Sequence, residues 1–285
     1  MTKYLSVFLT AFLLAGCVQT MAIRTMGGMM DYGLEAFNEE GDLELARGAL
    51  GSNLKLIEAL IKGDPENEKL LLIAAQGFNA YALAFAEDDS VERARAFYTR
   101  GRDYALRVLT HNARLTEALG GDLLSFQAAL KTLSKDDVPV VFWTAFGWGS
   151  YINISRSDVG AMADLPKVLA MMEFVRDKDP GYYHGGAYLM LGSIEGSMPR
   201  VLGGKPEKSK EYFERALALN GGKFLLTYVY YAKTYAVQEQ DQELFESLLK
   251  KVEEASLETF PEARLPNAIA KKKAKLLHDH INELF

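Results

Sequence analysis

The chain carries one cysteine, Cys17, and its thiol is the group most readily assigned to a defined chemical event. It closes the tetrad Leu14-Ala15-Gly16-Cys17 behind the apolar stretch Tyr4 to Gly16, with Lys3 supplying a positive charge ahead of it. Small residues before the thiol, after a basic start and a short apolar run, have the form of a secretory signal with its cleavage site. The pattern reads as a bacterial lipoprotein signal, in which the thiol is acylated and Cys17 becomes the new N-terminus. The run is too short to cross ~30 Å of hydrocarbon, which takes about 20 apolar residues as a helix. An unpaired exported cysteine otherwise needs explaining. The competing reading is a buried N-terminal helix whose cysteine is merely small and apolar. Val18 follows the thiol, where an Asp would favour inner-membrane retention, so anchoring to the outer membrane is expected.

Other reactive groups are sparse. The four histidines are His111, His184, His278 and His280. His278 and His280 lie two residues apart, which on a helix turns them about 200° from one another and makes joint metal ligation poor. His184, beside Tyr182-Tyr183, reads as a helix-start residue. No His-x-x-x-His, Gly-x-Ser-x-Gly or phosphate-cradling loop is present, and Gly203-Gly204-Lys205 lacks the rest of a P-loop. The expectation is a protein that is not an enzyme, with no metal site and no cofactor. A net charge of −6 argues against nucleic acid as partner. The basic run Lys271-Lys272-Lys273-Ala274-Lys275 reads as the solvated face of a terminal helix.

Aromatic residues offer a different chemistry, the lining of an apolar path. Phe142 to Tyr151 holds both tryptophans beside two glycines. Trp143, Phe146, Trp148 and Tyr151 read either as core or as the wall of a ligand channel, since such rings combine contact area with polar tips. Tyr182, Tyr183 and Tyr231 are the further candidates. Tyr228, Tyr231 and Tyr235 fall on one helical face, which suits a core, a subunit interface or a cavity lining.

These residues need helices to hold them. After residue 30 the apolar positions recur at helical spacing and no window alternates in the manner of a strand. Helices are expected over 42–62, 66–87, 91–109, 116–133, 165–180 and 206–220. Gly63-Asp64-Pro65 and Asp88-Asp89-Ser90 stand as stops between them. The glycines at 120 and 121 weaken the start of the fourth. The segment Pro206 to Asn220 has tetratricopeptide spacing, with Tyr212-Phe213 followed by Ala216-Leu217. Small residues at Ala74-Ala75-Gly77 and Gly185-Gly186-Ala187-Gly192 let a partner helix approach closely. The expected fold is all-α, with degenerate tetratricopeptide-like helical hairpins, about four pairs plus extra helices, stacked as an α-solenoid. Its organisation is a signal peptide at 1–16, a lipidated tether at 17–30 and one helical-repeat domain at 31–285.

The stretch with Tyr182, Gly185-Gly186, Pro199, Gly203-Gly204 and the helix Ser209 to Ala216 resembles the TatT-type lipoproteins, the tetratricopeptide-containing component associated with TRAP transporters. Lys205 departs from the pattern, where an acidic residue after the Gly-Gly pair is common. The resemblance spans nearly the whole chain. It implies a periplasm-facing, lipid-anchored homotrimer with a ligand channel, docking a periplasmic solute-binding subunit and passing on a hydrophobic small molecule. The alternative is an envelope scaffold for protein–protein interaction without a conduit.

Overall fold

The computed structural model describes residues 27–285, and Cys17 with the whole signal stretch lies outside the described residues. Among those described, every regular element is helical. Helix α1 (Gly27–Asn38) begins within the segment expected as tether.

Side-chain caps fix most of the helix starts. Asp42 opens α2 (Leu43–Gly63) by accepting from the backbone of Glu44 and Leu45 at 2.9 and 3.1 Å. Asn67 does the same for α3 (Glu68–Asp89), and Ser90, in extended conformation, ends that helix and caps α4 (Val91–Leu109). A single residue between α3 and α4 forces an antiparallel hairpin. The helix expected over 116–133 is two short ones, α5 (Ala113–Leu119) and α6 (Leu123–Leu130). Gly120-Gly121 ends the first, and Asn112 and Asp122 each supply a fresh N-cap. There follow α7 (Val138–Asn153), α8 (Val159–Ala163), α9 (Leu165–Lys178), α10 (Tyr182–Gly196) and α11 (Pro206–Asn220). Then come α12 (Leu226–Tyr230, running on through Tyr231–Ala236), α13 (Gln242–Glu254), α14 (Arg264–Asp279) and a last turn, α15 (Ile281–Leu284).

Two of these helices contain a π turn, at Ala82–Ala86 in α3 and at Tyr231–Ala236 in α12. A π turn holds one residue more than an α turn and recurs at functional sites.

Helix α3 is long and apolar enough to cross a membrane, but most of it is buried inside the protein. It packs against α2, α4 and α7; α7 carries on to α9, α9 to α10, and α10 to α11 and the π turn of α12. Asn79, fully buried on α3, wedges between α4 and α7 and donates from Nδ2 to the Trp143 carbonyl at 3.0 Å. A methyl group on Gly101 or Gly147 would collide with its Oδ1. At the surface of the same helices, Glu58 on α2 accepts from Lys55 and the Tyr104 hydroxyl, each at 2.8 Å, and from Arg100. Partial burial works against the ionised form of Glu58, but these three donors outweigh it and hold the carboxyl at about 2.

The chain then closes on itself. Helix α14 packs on α13 and returns to α1 and α2. Its basic run is not the solvated face expected from the sequence. Lys273 is buried and binds Glu87 Oε2 at 3.1 Å and Asp88 Oδ1 at 3.4 Å, Lys272 binds Asp88 Oδ2 at 2.6 Å, and Lys271 donates to the Glu253 carbonyl. Two acidic residues at the end of α3, invisible to the local pattern of α14, turn a basic stripe into a clasp.

Candidate functional site

Packing this chain produces two apolar cores. The first gathers α2, most of α3, the first half of α4 with Ala94 and Tyr98, and the helices from α11 to α14; the second gathers the end of α4 with Ala105 and Leu109 and the helices from α5 to α10, joined by Ala75 and Tyr212. Phe146, Tyr151 and Tyr183 are half-buried and touch both, so they line the seam. Leu83, Ile154, Leu189 and Tyr230 add half-buried apolar surface from the side of the first core.

Ring contacts run along this seam without a gap. The Tyr183 and Trp143 centroids lie 4.9 Å apart, Trp143 and Phe146 5.4 Å, and Phe146 and Tyr98 6.4 Å. Phe142 meets Tyr182 at 5.2 Å and Tyr183 at 5.5 Å, and the Trp143 indole N–H donates to the Tyr182 hydroxyl at 3.2 Å. Burial pushes the Tyr182 phenol up to about 12, against the pull of that indole. Tyr98, fully buried, donates from its hydroxyl to Glu87 Oε1 at 2.6 Å and so joins the aromatic line to the charged clasp.

One end of the line is strained. Tyr183, His184 and Gly185 hold three successive left-handed conformations, with φ of 46°, 60° and 83°. Each left-handed non-glycine residue costs roughly 1–2 kcal/mol, and such strain gathers at ligand clamps and switch regions. Packing holds the turn: His184 stacks on Phe224 at 4.8 Å and meets Phe260 edge-on at 5.0 Å, while Asn220 donates to its carbonyl at 3.0 Å. Burial lowers the His184 pKa, against the pull of Glu262, and so favours the neutral ring.

The other end is charged. Lys233, inside the π turn of α12, has an exposed side chain, yet desolvation lowers the pKa of its ammonium, with Glu87 and Asp88 opposing. Arg156, just past α7, is likewise exposed and likewise lowered by burial. Tyr230 is open on part of its surface while burial drives its phenol well above the ordinary range. The π turn of α3 leads into Glu87 and Asp88, and the π turn of α12 carries Lys233, which feels both carboxylates.

Of the expected channel residues, the structure brings Trp143, Phe146, Tyr182 and Tyr183 into one cluster, with Tyr151 on the seam. Trp148 lies apart, buried beneath the Arg102 guanidinium at 5.6 Å, and Tyr231 is buried in a stack on Phe213 at 4.8 Å. Sequence reasoning did not single out Lys233, Arg156, Glu87 or Tyr98. Lys233 was concealed in a tyrosine-rich helix, where only the π turn sets its direction. Two open surface grooves, of about 750 and 960 Å³, lie elsewhere: one along Arg114 to Thr132, one beside Leu43 to Lys55 with Tyr81, Phe85 and Lys272. Among the described residues no group of three or more His, Cys, Asp or Glu is arranged to hold a metal ion.

A body whose described residues are all helical, with an aromatic seam that ends in a charged cluster, has the build of a binding or accessory protein. Comparison gives the class. The profile of the family described as TRAP transporter T-component matches residues 39–285, and this chain belongs to that family. It is also similar to an uncharacterized protein of Treponema pallidum (strain Nichols), 24% identical over 265 residues that cover 87% of this chain and 82% of that protein. The family is an accessory component of a transport system, which implies a place at the cell envelope.

Proposed function

We infer that this chain is the lipid-anchored accessory of a TRAP-type transport system, acylated at Cys17 and held at the periplasmic face of the outer membrane. Its hairpins α3/α4 and α10/α11 act as degenerate tetratricopeptide-like repeats, and three copies assemble into a scaffold that docks the periplasmic solute-binding subunit. The seam from Tyr183 to Tyr98 gives the ligand of that subunit an enclosed, mainly apolar path. The observation that supports this reading is the line of rings between the two cores, along which Phe146, Tyr151 and Tyr183 stay half-buried, because a solid scaffold has no use for aromatic surface left open along an internal seam. Trp148 and Tyr231 pack into the walls rather than the path.

Trp148, Tyr231 and the two open grooves favour a second reading, a scaffold that grips its partner on an outer surface and conducts nothing. Sedimentation of the unlipidated protein, alone and with the solute-binding subunit of the same transport system, separates these ideas from simpler ones. A mass of three protomers and co-sedimentation of the subunit are expected. A monomer that ignores the subunit removes the scaffold in both forms. Cys17→Ser is expected to shift the protein from the membrane to the soluble fraction.

A further inference from the structure

The two open grooves differ in what lines them. The one along Arg114 to Thr132 is walled mainly by Ala118, Gly120, Gly121, Ala128 and Ala129, and no aromatic ring faces it. The one on α2 is floored by the buried rings of Tyr81 and Phe85, which Gly48, Gly51 and Ser52 leave uncovered. Arg47, Lys55 and Lys272 stand on its rim against one carboxylate, Glu44. An apolar centre inside a polar rim is the anatomy of a protein interface, and Tyr and Arg are the side chains that most often dominate its energy.

The helix beside this groove carries the apolar character further. Leu45, Gly48, Ser52 and Leu56 recur at helical spacing along one outward stripe of α2, and the two leucines are 58% and 56% exposed. The outward face of a surface helix is ordinarily polar. Its other sides pack on α3 and α14.

Position within the molecule selects what covers the groove. Asp31 of α1 binds Lys69 in the first turn of α3 at 2.6 Å, so the described chain enters at that end. Tyr81 and Phe85 lie about 18 and 24 Å further along α3, at 1.5 Å per residue. With Cys17 anchored as proposed, the groove opens on the half of the protein turned away from the membrane, toward a soluble partner. A face that fits it lays an apolar side chain on the rings and brings carboxylates to the rim. Arg47, Lys55 and Lys272 already hold Asp89, Glu58 and Asp88, but ammonium and guanidinium groups have three and five donors and keep capacity for a second acceptor.

We propose that the groove between α2 and α3 is the surface on which the solute-binding subunit docks, through an apolar ridge of that subunit edged with carboxylates. The proposal rests on the docking that both readings above share, and adds to it the surface and the chemistry of the face that meets it.

Calorimetric titration of the purified protein with the solute-binding subunit of the same transport system tests this. Gly48→Gln adds a long side chain where a Cβ meets nothing within 4 Å, so the helix keeps or gains stability while the groove fills. Binding should weaken about tenfold or more, and by a smaller factor in Leu45→Ser. Gly120→Gln fills the other groove at an equally open position and should change nothing. Binding by the native protein should weaken as salt rises, because the rim is cationic. A Gly48→Gln variant that melts like the native protein and binds the subunit unchanged overturns the proposal. So does loss of binding in Gly120→Gln, or a fall in the protein's own assembly mass in Gly48→Gln, which would give the groove to a second copy. A native protein that ignores the subunit removes the docking reading itself, and this proposal with it.

Discussion

Two clusters of carboxylate and cation, both built on the α2–α4 end of the protein, follow opposite rules. Around Glu58 one carboxylate receives three donors, from Lys55, Arg100 and Tyr104, and the group is complete. Around Glu87 and Asp88 the carboxylates bind Lys272, Lys273 and the Tyr98 hydroxyl, and Lys233 also feels both. The first cluster lies near solvent and ties neighbouring helices together. The second joins α3 to α4 and to the distant α14, and Tyr98 and Lys273 are buried in it. A network open to water can lose a member cheaply; one with buried members cannot.

The largest expected break in this comparison is Glu87→Ala. It strands the fully buried Tyr98 hydroxyl and leaves the buried Lys273 ammonium with Asp88 alone, at 3.4 Å, and denaturant unfolding should show a loss of about 3 kcal/mol. Glu58→Ala should cost less, about 1 kcal/mol, because Lys55 and Arg100 regain water when their partner goes. Equal costs at the two sites would end the distinction. Glu58 also sets an acid limit. Its folded pKa is depressed to about 2 from the ordinary 4.5, so its contribution is complete above about 4.5 and disappears as pH falls through 2. Glu58→Gln should flatten the melting temperature across that window. Lys233→Met should leave stability within about 1 kcal/mol of the native protein, or raise it, because an unpartnered desolvated charge is removed. A large loss would show that Lys233 has a structural partner. The smallest effect belongs to His111, which meets Glu68 at 2.9 Å and Glu66 at 3.0 Å on an exposed corner. Its pKa is raised, so its contribution is present below about 6.5 and lost as pH rises past the folded value, with an amplitude below about 0.5 kcal/mol after solvent screening.

The helices were legible where punctuation is chemical. Val91–Leu109 and Pro206–Asn220 begin and end where Ser90, Pro206 and Gly221 dictate. The 116–133 segment was misread because Asp122, a good N-cap, follows the glycines and restarts a helix that a periodicity count runs through. The aromatic cluster around Trp143 was legible as a group of rings, since Phe142 to Tyr151 and Tyr182-Tyr183 announce it. Which rings would stay half-open along the seam was not. The tyrosine stripe shows why: Tyr231 is buried on Phe213 and still meets Tyr235 edge-on at 5.3 Å, while Tyr228, one turn earlier, lies under the Lys251 ammonium at 5.5 Å. Those neighbours come from α11 and α13, distant in the chain, and the π turn that begins at Tyr231 has no compositional signature, so neither is written in local residue types.

The π turn of α3 makes part of this protein's chemistry a matter of counting. The extra residue of a π turn is taken up within the turn, so removing one residue from Ala82–Ala86 would close it to an ordinary α turn and leave Glu87 and Asp88 on their present bearing. The same deletion in the α-helical body of α3 would turn both carboxylates by about 100°, away from Lys272 and Lys273, and the clasp to the last long helix would open with every charge still present. Within one helix, the place of a missing residue matters more than its identity.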